Sequence, residues 1–212
     1  DVAVRDALAM GLLGCLSSPD PTLRDGMAYE AFTQWLRNDQ LQPEVRAQLR
    51  DRLYDMLKEA DEAGFRQSFA ALVLSEVART DRISPWMSPA ERVAMVKAAT
   101  QYLRSVTDYR GFDNTEGWRH GVAHGSDWLL QLALNPGVER AQLDQILEAI
   151  ATQVVPESGH AYVFGEPGRL ARPVLYIAKR GLLSEAEWTT WFSALPARIG
   201  DASQAYSNTD WL

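Results

Sequence analysis

Three segments of this chain share one pattern at the spacing of a helical repeat, and that pattern limits the possible folds more than any other feature. Leu23-Arg24-Asp25-Gly26-Met27-Ala28, Phe65-Arg66-Gln67-Ser68-Phe69-Ala70 and Trp118-Arg119-His120-Gly121-Val122-Ala123 each read as a large apolar residue, Arg, any residue, a small residue, an apolar residue and Ala. The arginines lie 42 and 53 residues apart, close to the ~40–47 residues of HEAT and armadillo units. Gly168-Arg169-Leu170-Ala171-Arg172-Pro173 reads as a degenerate fourth copy 50 residues on, with Pro in place of Ala. A small residue and an Ala near a helix start let a neighbouring helix approach, and Arg can bridge to an acid on the next unit. The pattern predicts an inter-unit ladder on the second helix of successive hairpins, with ligand binding by the arginines as the alternative.

Helix punctuation agrees with the repeat. Pro21, Pro43 and Pro89 stand where helices can begin, since a first-turn residue has no partner for its N–H. Ser88 with Glu91 and Ser184 with Glu187 have capping-box spacing. Helices are expected over Val2–Leu16, Pro21–Arg37, Pro43–Ala60, Phe65–Arg79, Pro89–Thr107, Thr115–Leu134, Val138–Val155, Leu170–Arg180 and Glu185–Leu195. Tyr162-Val163-Phe164 is the one weak strand candidate, because alternating β-branched runs bounded by turns are otherwise missing. The expectation is an all-α chain, a single repeat domain over residues 1–212. It stacks antiparallel helical hairpins into a HEAT- or armadillo-like α-solenoid or superhelix.

Composition narrows the function classes. The net charge of −7 is spread over interspersed acids and bases, which argues against nucleic acid, whose phosphates need a concentrated Lys/Arg surface. No segment approaches the ~18 unbroken apolar residues of a membrane span, so no membrane insertion is expected. Cys15, the single cysteine, sits in an apolar run with no basic cluster nearby and reads as a small hydrophobe. The chain starts at Asp1 without an initiator Met. A soluble protein is expected, and cytoplasmic and exported locations both stay open.

Chemistry concentrates in Asp108–Trp128, which holds two of the three histidines, several aromatics and four glycines. On a helix at about 100° per residue, Trp118, Val122, Leu129 and Ala133 form an apolar stripe and His120, His124, Asp127 and Gln131 the opposite face. Two imidazoles one turn apart, with a carboxylate a turn on, can meet at one metal ion. They can equally support acid–base work with Asp127 orienting a histidine. A solvated or hydrogen-bonded pair is the plainer reading. Asp25, Tyr29 and Gln67 occupy comparable places on the neighbouring units, which would extend a polar groove across three hairpins. Arg119 is a ligand-binding candidate beside them.

A second polar cluster spans Glu157–Arg172, a long loop rich in Gly and aromatics leading into a helix. Glu166, Arg169 and Arg172 there form either a salt-bridged cap or a ligand clamp. Phosphate-loop glycine spacings and a nucleophile elbow are missing from the sequence. Of the seven tryptophans, Trp35, Trp118, Trp188 and Trp191 fit apolar faces. Trp86, in a loop, and Trp128, beside the polar face, are the candidates for a ligand or partner surface.

Leu23–Ala31, Arg66–Leu74, Arg110-Gly111-Phe112 with Gly117–Asp127, and Gly165–Arg172 resemble an uncharacterised bacterial all-helical family, catalogued as a domain of unknown function (DUF2785-like). The resemblance extends over nearly the whole chain, and its Trp-x-His-x-x-x-His-x-x-Asp block is the most specific part. It implies an all-helical fold, no established activity and no catalytic roles to carry over. Pro167 stands where the family pattern leads one to expect an acid. The leading functional reading is a non-enzymatic binding module that takes an unknown protein, peptide or small ligand in a concave polar groove. A hydrolase or other enzyme centred on His120, His124 and Asp127 is the alternative. The cofactor is unknown, and a divalent metal held by those three residues is the less favoured option.

Overall fold

The structure is a computed structural model that describes residues 1–156 and 158–199. Glu157, part of the expected polar loop, and the segment 200–212 at the end of the expected domain lie outside the described residues. Of the described residues, 70% are helical, which places the chain in the all-α class. Helix α1 covers Val2–Leu12, capped by the Asp1 carboxylate on the Ala3 amide, and narrows into a 3₁₀ segment over Leu13–Ser17. The next helix starts as wide π-helical turns over Thr22–Tyr29 and continues as α2, Glu30–Arg37. Then follow α3 (Pro43–Met56), α4 (Arg66–Ile83), α5 (Pro89–Ser105), α6 (Gly121–Ala133), α7 (Arg140–Val154), α8 (Glu166–Lys179) and α9 (Glu185–Ala194). Both expected capping boxes form, at Ser88–Glu91 and Ser184–Glu187.

Second helices pack on second helices. The Thr22–Arg37 helix lies against α4, α4 against α6, and α6 against α8, while α1 meets α3 and α5 meets α7. Helix α4 sits at the centre of this arrangement. Its run Ser68–Ala78 is buried without interruption, as expected of a helix apolar on all sides. One buried apolar cluster extends from Ala9 to Ile177. Among the described residues, no helix is long and apolar enough to cross a membrane.

The motif's Ala is the part that packs the same way each time. Ala28, Ala70 and Ala123 are all fully buried, and Pro173 is buried at the equivalent place on α8. The small residue varies in its role. A Cβ on Gly121 would lie 3.2 Å from the Tyr102 hydroxyl, whereas one on Gly26 would meet nothing within 4 Å.

The arginines do not form the expected acid-to-Arg ladder between units. Their carboxylate partners are local: Asp25 for Arg24, Glu59 for Arg66 and Glu116 for Arg119. Between units they reach backbone and hydroxyl oxygens instead. Arg24 donates to the Glu116 carbonyl at 2.7 Å, Arg119 to the Ala63 carbonyl at 2.7 Å, and Arg66 to the Ser17 hydroxyl at 3.1 Å. Arg24 and Arg119 also converge on one ring, with guanidinium carbons 4.1 and 4.3 Å from the Phe65 centroid.

A charged ladder does exist, along the turns. Asp81, fully buried near the end of α4, accepts from Arg92 at 2.7 Å, from the Trp86 and Met87 amides, and from the Asn135 amide group at 2.8 Å. Arg180, after α8, donates to the carbonyls of Asn135 and Val138. Three inter-helix turns are thereby tied in sequence. Burial raises the Asp81 pKa, but the hydrogen bonds from Arg92 and the turn amides outweigh it and hold the carboxyl below its usual value. Removing one partner of a buried charge pair strands the other, so Asp81→Ala should cost about 3–5 kcal/mol. Urea denaturation of the variant beside the parent chain measures that loss directly.

Candidate functional site

Helix α6 begins later than the sequence suggests. Phe112–Asp113 and Gly117–Trp118 pair as a short antiparallel hairpin, with Phe112 opposite Trp118. The turn closes because the Asp113 carboxylate accepts from the amides of Thr115 and Glu116, and Gly117 adopts φ 75°. The pairing continues through Arg119 N–H to Gly111 O and His120 N–H to Arg110 O. His120 then turns the chain into α6 at φ 57°, a left-handed conformation that non-glycine residues seldom take. Tyr162–Phe164 forms no strand.

That turn directs His120 toward the start of α8. Its Nε2 lies 3.5 Å from Glu166 Oε1, and the nitrogen is buried with no hydrogen-bond partner among the described residues. The Trp118 indole stacks on the imidazole, centroids 4.6 Å apart and planes at 22°. Glu166 is itself buried, and its other oxygen accepts from the Phe164 amide at 2.9 Å. The Phe164 ring rests on Gly111, where a Cβ would overlap it, and meets Trp118 edge-on. The loops that precede α6 and α8 are interlocked by this contact.

Asp127, two turns into α6, forms an ion pair with Arg169 of α8. Burial pushes the Asp127 carboxyl up, against the pull of Arg169 and Arg172. Burial lowers the His120 pKa, against the field of Glu166. Tyr29, also raised by burial, feels the Glu76 and Asp127 charges, so it borders the same cluster. Arg172 is exposed on α8 within electrostatic reach of Asp127. The structure thus gathers His120, Asp127, Glu166 and Arg169, with Tyr29 and Arg172 at the margin.

Other expected members fall elsewhere. His124 is buried, with Nδ1 2.8 Å from the Ser68 hydroxyl and 3.2 Å from the Ser68 carbonyl, and its ring edge-on to Phe69. The Ser68 hydroxyl donates to the Arg119 carbonyl, which leaves His124 Nδ1–H as the donor to Ser68. Nδ1 of His124 is thus engaged by Ser68, and its ring stands edge-on to His120 with centroids 5.9 Å apart. Among the described residues, no three His, Cys, Asp or Glu side chains are placed to hold an ion. His120 precedes the helix in a left-handed turn that leaves its Nε2 beside Glu166, while Nδ1 of His124 faces Ser68.

Trp128 is fully buried and stacks on Tyr54 at 6.4 Å, which corrects its reading as a surface residue. Trp118, expected in the core, is 37% exposed beside His120. Trp86 packs under the guanidiniums of Arg46 and Arg50 and donates to Thr80. Asp25 pairs with Arg24 at 2.7 Å. Arg119 is buried between Ala63, Glu116 and Phe65, and with Gln67 it lines a separate polar pocket of about 170 Å³. Gln131 holds Arg82 at 3.1 Å. Sequence reasoning missed Ser68 and Phe164. For Ser68 the available signal was its place as the small residue of the second motif copy.

The family model for a protein of unknown function (DUF2785) matches residues 53–212. The chain belongs to that family. The match covers the second, third and fourth motif copies and leaves Leu23–Ala31 outside it. No curated protein and no solved structure matches the chain.

His124 generates a pH prediction for this family member. Burial, reinforced by the charge of His120, depresses its pKa to about 3, whereas an unfolded histidine titrates near ~6.5. The unfolded state therefore takes up the proton first as pH falls. The stabilising contribution is whole above about pH 6.5 and declines as pH drops toward the folded value. Chemical denaturation at stepped pH should show this acid limb, and His124→Gln should flatten it. An equally steep limb in the variant would assign the proton uptake to another group.

Proposed function

We propose that this chain is a HEAT-like repeat module, a single all-helical domain over residues 1–212. In this reading it binds a small polar ligand, a peptide or a protein segment in a concave polar groove along its second helices. The supporting observation is His120 Nε2, which is buried without a hydrogen-bond partner among the described residues, beside buried Glu166, where α6 and α8 begin. An unsatisfied buried polar atom costs free energy that a bound group can recover. Asp127 with Arg169 would orient the ligand, Tyr29 and Arg172 would contact its outer parts, and Trp118, Phe112 and Phe164 present partly exposed rings alongside.

Recognition fits these residues better than turnover does. Arg169 neutralises Asp127, and Ser68 engages His124. A second reading, a hydrolase or other enzyme, draws support from the imidazole–carboxylate contact of His120 and Glu166, with Glu166 in the orienting role first given to Asp127.

One experiment separates the two. The full chain is screened by thermal shift and tryptophan fluorescence against a panel of small metabolites and short peptides, and each hit is recovered and analysed. Binding is expected to weaken about tenfold or more, at least ~1.4 kcal/mol, in both His120→Ala and Arg169→Ala, with the ligand recovered unchanged. Chemical conversion of the ligand would select the enzymatic reading. Unaltered affinity in both variants would remove the site.

A further inference from the structure

Away from this cluster, a cleft of about 600 Å³ opens between α7, α8 and α9. Leu170, Val174 and Ala178 of α8 line one side, and Trp188, Trp191 and Phe192 of α9 line the other. The α8 stripe alone, Leu170 to Ala178, extends about 12 Å, eight steps at ~1.5 Å each. The three α9 rings pack against one another, with centroids 4.9 to 6.1 Å apart, and α9 contributes no buried residue. Among the described residues, nothing fills the trough between this aromatic face and α8.

The lining excludes most ligand chemistry. The Tyr162 hydroxyl at the rim is already engaged by Gln153 Oε1 at 2.8 Å. The remaining wall is hydrocarbon and indole, and the buried Trp191 N–H has no partner among the described residues. Water in such a trough finds few groups to bond, so apolar atoms that displace it gain free energy. The volume falls within the ~300–1,000 Å³ of small-molecule sites, whereas a stable protein interface needs an extended surface above about 1,000 Å². The geometry points to a binding site for a single unbranched hydrocarbon chain, laid along the Leu170–Ala178 stripe beneath the α9 rings. This site is independent of the His120 cluster.

The test is isothermal titration of the full chain with octanoate, decanoate and dodecanoate, each below its micelle concentration, with sedimentation run in parallel. One site per chain is expected, and affinity should rise about fourfold per methylene until the trough is filled. Ala178→Phe, which fills the trough from an exposed position of α8, should weaken dodecanoate binding at least tenfold while the urea midpoint holds. Affinity independent of chain length would overturn the proposal. So would equal affinity in Ala178→Phe, or a dimer of the chain that the alkyl probes leave intact.

Discussion

The ring of Phe65 is where three copies of the sequence motif meet. Phe65 is the large apolar residue of the second motif copy, and it receives the guanidinium of the first copy, Arg24, and of the third, Arg119. A cation over an aromatic face is attracted by the ring quadrupole, more strongly where water is excluded. Arg24 is fully buried and Arg119 nearly so, which makes that exclusion real here. Burying a guanidinium is costly unless its N–H groups find acceptors. The two Nη groups of Arg24 find them in the carbonyls of Ser18 and Glu116 and in Asp25, while its Nε meets no acceptor among the described residues. The bond to Glu116 anchors the short hairpin before α6, and Gly117 permits the contact because a Cβ there would sit 3.1 Å from Arg24 Nη2.

The candidate site follows from that anchoring. The positioned hairpin ends at His120, and the left-handed turn carries the imidazole to the start of α8. Phe164 on Gly111 holds the opposite loop, and Arg169 on Asp127 closes the gap between the helices. Charges, loops and rings from separate units thus meet at the seam between α6 and α8. The turn ladder of Asp81, Asn135 and Arg180 keeps the same units in register from another side, through buried hydrogen bonds.

Much of the fold was legible in local chemistry. Proline at helix starts and two Ser/Glu boxes mark boundaries because free N–H groups there must be satisfied or absent, a condition set within a few residues. The buried Ala of each motif copy was legible for a similar reason, since its position relative to Arg does not depend on distant contacts. The site was legible as a composition and misread as a geometry. A helical wheel drawn from Thr115 places His120 and His124 on one face, yet residues 112–118 form a hairpin. Asp113 and Gly117 were the turn residues that could have warned of it.

The Arg-x-small-x-Ala recurrence, the capping residues and the apolar runs determined by themselves that the chain would be helical and where the helices at Thr22 and Arg66 would begin. Those features act over a few residues, and any compact fold of this sequence must satisfy them. Tertiary structure alone decided that two motif arginines would share Phe65 and that His124 would face Ser68. It likewise decided that His120 would meet Glu166 and that Trp128 would be buried while Trp118 is partly exposed. Each of these depends on which distant group competes for one buried donor, acceptor or ring, and that contest is settled by packing between units.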